Sequence, residues 1–228
     1  MISAYLLRVF TDNNGKFGDL ASVVIDEGKH IPDLKRQMLA RKLNTGETIF
    51  VNDITSSQIS VMHPQGEIDF AGVGVLASAW LLDKLQNKPL TVLHGRSGEI
   101  KTWQENEITW VRTDISTLPH WHLKQLQSAD EVERISKKET AKMEHTLLWS
   151  WIDEQKGLIR ARTFASDWDI PEAEGNGSGA MLLATLLQRP LEIIHGKGSV
   201  IFAKPQSHNS ASLGGSIIED TQISLNET

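Results

Sequence analysis

The chain has no cysteine among its 228 residues. Disulfides, thiolate metal sites and cysteine nucleophiles are therefore excluded. It lacks any apolar run of membrane-spanning length. The apolar residues 1–10 are too short and wrongly flanked for a signal peptide, so a cytoplasmic protein is the expectation. Positive charge is scarce: 23 Lys and Arg against 29 Asp and Glu give a net charge of −6. That balance argues against nucleic acid or an anionic membrane as partner. No aromatic or arginine cluster stands out as a surface for reading a substrate's body. The length allows one large domain or two small ones.

What the chain does have is a pair of glycine-rich turns, each opening onto an apolar helical run. The first is Asp69-Phe70-Ala71-Gly72-Val73-Gly74, leading into residues 75–82; the second is Glu172-Ala173-Glu174-Gly175-Asn176-Gly177-Ser178-Gly179, leading into residues 180–187. A helix start leaves backbone N–H groups free where the macrodipole is positive, a combination that holds a carboxylate or phosphate. Two such starts in matching contexts suggest a pair of half-sites.

The rest reads as a mixed α+β chain. Strands are expected at residues 4–10, 20–25, 48–51, 57–62, 107–112, 146–152, 158–164 and 212–218, with the polar tail after Asp220 frayed. A helix is expected from Pro32 and Asp33 to about Leu43, with Leu34, Met38 and Leu39 as its apolar positions. A second, charged helix is expected over residues 128–143, capped by Ser128 with Glu131 completing a capping box. Residues 118–122 read as a connector, and the domain boundary is placed in this region. Glu47 lies at a turn-to-strand junction, and spacing alone favours a solvated loop carboxylate there.

Lys88-Pro89-Leu90-Thr91-Val92-Leu93-His94-Gly95 matches Arg189-Pro190-Leu191-Glu192-Ile193-Ile194-His195-Gly196, each following a glycine-opened apolar helix. This is a repeat of two, not a solenoid. Both helices are apolar around most of their circumference, so each should lie at the centre of a wrapped sheet, with a cleft between the helix starts. Equivalent places in the two copies favour a structural role for His94 and His195 over metal ligation. His120 and His122 read as a loop pair. Trp149, Trp151 and Trp168 fit either core packing or an interface.

Taken in order, Asn44-Thr45-Gly46-Glu47-Thr48-Ile49-Phe50-Val51, Glu67-Ile68-Asp69-Phe70-Ala71-Gly72 and the later glycine-serine helix start resemble the phenazine biosynthesis PhzF-like family. That family shares its fold with diaminopimelate epimerase. The resemblance implies an α+β fold of two pseudo-symmetric domains, each a mixed, mostly antiparallel sheet around a central helix. Here they would be residues 1–118 and an abbreviated 119–228, with the active site between them. It implies an isomerase without cofactor or metal, moving a proton on a small carboxylate substrate, and it allows a homodimer. The position matching the family's catalytic carboxylate is Glu47. Gly72, Val73, Gly74, Asn176, Gly177, Ser178, Gly179 and Asp19 would bind the substrate, the helix starts stabilising enolate charge, while Asp19, in place of the family's asparagine, puts a negative charge near the anion site.

Some positions depart from the family. Val73 stands where the family usually carries a histidine and the epimerases a cysteine; Ala173 stands where an aspartate is usual, with Glu172 and Glu174 out of register. Asn176 occupies the epimerases' second cysteine position, so a two-base racemase is ruled out by residue type. Two readings follow: an isomerase using Glu47 as its single acid–base group, or an impaired homologue that binds a small carboxylate.

Overall fold

The computed structural model describes residues 2–63, 65–207 and 209–225. In chain order the elements of the first half are β1 (Ile2–Thr11), β2 (Asp19–Ile25), α1 (Asp33–Leu43), β3 (Glu47–Asp53), β4 (Gln58–His63), β5 (Gly66–Ile68), α2 (Gly72–Gln86), β6 (Val92–Gly95), β7 (Gly98–Glu105) and β8 (Ile108–Asp114). Then follow β9 (His122–Gln125), α3 (Ala129–Arg134), α4 (Lys137–Thr140), β10 (Thr146–Asp153), β11 (Leu158–Ala165), β12 (Ile170–Ala173), α5 (Gly177–Leu187), β13 (Leu191–His195), β14 (Ser199–Pro205) and β15 (Ser210–Leu225).

The strands pair in the order β1-β2-β3-β4-β6-β7-β8-β15-β14-β13-β11-β10-β9, and β15 also pairs with β1. The first eight of these therefore close into a ring, and α2 packs against β1, β2, β3, β8 and β15 inside it. The remaining strands curve around α5, which packs on β14 and β15. The expectation of two central helices holds. Ten residues of α2 and seven of α5 are buried, as a helix apolar on all sides requires. Side chains from around both helices join one contiguous core, in which Leu76, Leu82, Leu183 and Leu213 are fully buried. Among the described residues no helix is long and apolar enough to cross a membrane.

Three expectations are corrected. Residues 221–225 are not frayed: β15 continues to Leu225, with Gln222 opposite Tyr5 and Ile223 opposite Ala4, and the remainder of the tail lies outside the described residues. Residues 128–143 are not one helix. Ser128 does cap α3, accepting the Glu131 N–H at 3.1 Å, but Glu131 reaches back to Gln127. The capping box lies instead at Ser136 and Glu139, where it restarts the chain as α4. The Arg162 guanidinium takes the carbonyls of Val132, Glu133 and Ile135, which ends α3 there. Finally, His122, the last residue of the connector expected at 118–122, opens β9, an edge strand parallel to β10.

In α1 the sidedness differs from the apolar spacing. Pro32 caps the helix, yet Leu34 is 84% exposed and Met38 67%, whereas Arg36 is 1% exposed. Arg36 faces inward because Asp26 lies beneath it, at the end of β2. Its Nε donates to Asp26 at 3.1 Å, its Nη2 to Asp26 and, at 2.7 Å, to Asn52, and its carbon head sits 4.7 Å above the Phe50 ring. Asp26 also accepts the N–H groups of His30 and Ile31, so one carboxylate fixes both the turn and the helix. A buried charge left without its partner is costly. Arg36→Ala is expected to lower stability by about 3–5 kcal/mol, read by urea denaturation. A loss below about 1 kcal/mol would mean that the pair is solvated.

Candidate active site

The two central helices meet at their N-termini. A Cβ on Gly72 would stand 3.1 Å from the Gly177 Cα, and one on Gly177 would stand 3.3 Å from the Gly72 Cα and 2.5 Å from Leu213. Only glycine lets the two turns come this close. The cleft expected between the helix starts is present, as a cavity of about 620 Å³. Its lining includes Asp19, Glu47, Gly72, Val73, Asn176, Gly177 and Ser178. The volume suits a small-molecule site.

The N–H groups at the two helix starts divide in the same way. At the third position of α2, Gly74 donates to Glu47 Oε2 at 2.5 Å; at the third position of α5, Gly179 donates to Asn176 Oδ1 at 2.8 Å. Both N–H groups are thereby occupied by acceptors of the chain itself. Gly74 and Gly179 also make room. A Cβ on Gly74 would stand 2.1 Å from Ile49 and 3.1 Å from Glu47 Oε2, and one on Gly179 would stand 2.5 Å from Asn176 Nδ2. Glu47 thus caps α2 from a neighbouring strand as Asn176 caps α5 from its own chain. The N–H groups of Gly72, Val73, Gly177 and Ser178 have no hydrogen-bond partner among the described residues. All four residues line the cavity.

Glu47 is not a solvated loop carboxylate, as its spacing suggested. It is the first residue of β3 and half-buried, and its carboxyl is raised from its ordinary 4.5 to about 8. Burial is the main cause and the charge of Asp19 adds to it, while the Gly74 N–H opposes both. Asp19, the first residue of β2, is raised to about 6, chiefly by burial; the Leu20 N–H opposes this and the Glu174 carboxylate adds to it. Glu172 and Glu174 also line the cavity but are engaged elsewhere. Glu172 is held by Arg162 at 2.7 and 2.9 Å, and Glu174 by Lys197. Ala173 and Val73 present apolar surface to the cavity.

A chain of polar side chains fixes the second turn. Burial pushes His195 down to about 4, so its ring is neutral, and its Nδ1 lies 3.1 Å from the Glu174 carbonyl. With that nitrogen donating, Nε2 accepts from Thr163 Oγ1 at 2.8 Å. Thr163 in turn accepts from Asn176 Nδ2, Asn176 Oδ1 accepts from Ser178 and Gly179, and Ser178 accepts from Trp121 Nε1 at 2.8 Å. The structural role expected for His195 is thus to orient the turn before α5. The Ser178 hydroxyl already has a donor and an acceptor, so its backbone N–H is the group left open.

Sequence reasoning missed the aromatic wall. Trp121, Trp168 and His63 line the cavity, with Trp168 edge-on to Trp121 at 5.9 Å, tilted against His63 at 6.0 Å and edge-on to His145 at 4.0 Å. These residues are scattered over the chain, so no local run betrays them. Trp168 belongs to this wall and not with Trp149 and Trp151, which pack edge-on to each other at 5.4 Å.

Comparison with known proteins supplies an independent line. A family model for phenazine biosynthesis-like proteins matches residues 7–150. A curated relative, an uncharacterized isomerase of Pasteurella multocida, is 29% identical over 106 residues, 44% of this chain. The match spans little more than a third of that relative, 36% of its length. Among solved structures, a putative phenazine biosynthesis PhzC/PhzF protein from Clostridium difficile superposes with a TM-score of 0.80 at 16% identity, covering 99% of this chain and 100% of that one. A hydroxyproline epimerase from Agrobacterium vitis, crystallised with trans-4-hydroxy-L-proline, superposes with a TM-score of 0.61 at 11% identity, covering 97% and 91%. At these identities the likeness is one of fold, an epimerase-like arrangement of mixed sheet and few helices.

The raised carboxyl of Glu47 has a thermodynamic consequence. The folded protein holds that proton more tightly than the unfolded chain, so the associated stability is full below about pH 4.5 and lost as pH rises through about 8. Glu47→Gln is expected to flatten this loss, raising Tm by about 4 °C or more at pH 8.5 and leaving it little changed at pH 5. Parallel Tm profiles for parent and variant across that range would contradict a desolvated Glu47.

Proposed function

This chain belongs to the phenazine biosynthesis-like protein family, and from that premise we propose that it is an isomerase that moves a proton on a small carboxylate substrate without a cofactor. The observation that carries this reading is the Glu47 carboxyl, desolvated and held at the start of α2, in a cavity lined by four residues whose amides have no partner among the described residues. The amides of Gly72, Val73, Gly177 and Ser178 anchor the substrate carboxylate and stabilise the charge that develops when a neighbouring C–H bond ionises. Glu47 carries the proton. With its acid and base forms balanced near pH 8, it can take a proton from one carbon and return it to another. Asn176 orients the second turn, and the aromatic wall packs on the substrate's body. In this reading the halves 1–118 and 119–228 are duplicated domains, each contributing one helix start, although β15 runs through both.

The other reading, a binding protein without catalysis, draws on Val73 and Ala173. The electrostatics favour the isomerase. A site built only to hold an anion gains nothing from two desolvated carboxyls beside it, since both weaken anion binding and cost folding energy. Chemistry that needs a proton carrier gives them a use.

The test uses cyclohex-2-ene-1-carboxylate, cyclohex-1-ene-1-carboxylate and trans-4-hydroxy-L-proline as probes in D2O, followed by proton NMR. The protein is expected to exchange or shift a C–H hydrogen on at least one of them, and Glu47→Gln to slow this at least 100-fold, within the range typical of a lost acid–base group. Both proteins should be thermally stabilised by the same probe. A variant that works at the parent rate would end the Glu47 mechanism. If none of the probes stabilises the protein, both readings fail.

A further inference from the structure

Glu47 is not alone in the cavity. Asp19 and Glu47 open two neighbouring parallel strands, β2 and β3, in which Ala21 pairs with Glu47. Asp19 lies two residues before Ala21 and so shares its face of the sheet. Each carboxyl attends a different helix start. Glu47 is bonded to Gly74 of α2, whereas the Asp19 Cβ lies 3.6 Å from where a Cβ on Gly175 would sit, in the turn that leads into α5. Asp19 Oδ1 takes the Leu20 N–H at 2.9 Å. Both acids line the same cavity as the four unpartnered amides.

From this arrangement the geometry points to Asp19 as a second catalytic residue, the base that removes a substrate proton while Glu47 is the acid that delivers one. The inference rests on the isomerase reading but replaces one shuttling carboxylate with two of fixed role. In the step, an Asp19 oxygen takes the proton from the carbon next to the substrate carboxylate. The electron pair of that C–H bond moves into the π system conjugated with the carboxylate, whose charge the four amides hold. The π electrons then form a new C–H bond at a second carbon with the proton of the Glu47 carboxylic acid. Asp19 ends protonated and Glu47 ionised. Passing one proton from Asp19 to Glu47 through the cavity's solvent restores the start, and no electrons are gained or lost.

The surroundings set the two roles. Asp19 faces Arg8 on β1, Glu47 on β3 and Glu174 before α5, with the N–H groups of Leu20 and Gly175; Glu47 faces Asp19 and the Gly74 N–H. Among the described residues no cation acts on Glu47, and Arg8, which does act on Asp19, is committed to Asp220 on β15 at 3.3 Å. Between about pH 6 and about 8 the less perturbed acid, Asp19, is ionised and Glu47 keeps its proton. Two carboxyls whose environments push them apart in this way divide base from acid.

The experiment is a single turnover of cyclohex-2-ene-1-carboxylate in D2O with excess protein. Conversion to the 1-ene isomer removes the hydrogen at C1 and adds one at C3. Two fixed groups predict that C3 receives only solvent deuterium, because Glu47 has equilibrated with D2O beforehand. Asp19→Asn should slow turnover at least 100-fold while keeping thermal stabilisation by the probe, and Asp19→Glu should recover part of the rate. Protium carried from C1 to C3, or an Asp19→Asn variant within about threefold of the parent, would overturn the assignment. Carboxyl-carbon NMR titration reads the pair without any substrate. Asp19→Asn should lower the Glu47 midpoint from about 8, and an unmoved midpoint overturns the pairing. Failure of the parent protein to act on the probe counts against the isomerase reading, and the titration then decides the pairing alone.

Discussion

Two positive helix ends face each other at the contact between Gly72 and Gly177, and the rest of the structure answers that constraint. Each helix start carries roughly half a positive charge, so bringing two together is unfavourable unless negative charge lies close by. Side chains would also keep the turns apart, which is why glycine occupies both contact positions. Glu47 on α2 and the Asn176 oxygen on α5 each satisfy one donor, and Asp19 adds a second carboxyl to the cavity. What remains is a pocket lined by four residues whose amides have no partner among the described residues, together with two desolvated acids.

The sheet is the means by which this contact is made. β1, β2 and β3 bring Asp19 and Glu47 side by side at their ends, and the closed ring holds α2 so that its first turn meets them. β15 then joins the ring to the strands around α5, pairing with β8, β14 and β1 along its length. Because the core is continuous from α2 to α5, the two helix starts are held at a fixed distance. The neutral His195, through Thr163 and Asn176, sets the second turn with one consistent direction of hydrogen bonding. A connected chain of this kind rigidifies the turn.

Much of this was legible in the sequence, for identifiable reasons. The glycine-opened apolar helices and the repeated Pro-Leu strand signal gave two central helices and the cleft between them, since both rest on local pattern. Glu47 was singled out only through the resemblance to known proteins; its own neighbourhood suggested a loop, because the N–H that holds its carboxyl lies 27 residues on, at Gly74. Arg36 and Leu34 exchanged the faces that apolar spacing assigns them, since an inward charge is set by Asp26 and not by periodicity. The aromatic wall draws Trp121, Trp168 and His63 from separate elements, so no window of sequence contains it. The occupied N–H groups of Gly74 and Gly179 were hidden too, because a backbone donor has no signature in the sequence.

The central claim is that the paired helix starts hold a carboxylate through four particular amides. Amide chemical-shift mapping tests it most directly, with benzoate titrated into nitrogen-labelled protein at pH 7 and acetate as the small reference. Saturable downfield shifts are expected for the Gly72, Val73, Gly177 and Ser178 N–H signals, larger than those of Gly74 and Gly179, whose donors are already engaged. Shifts centred anywhere else on the molecule, or none at those four positions at saturation, would contradict it.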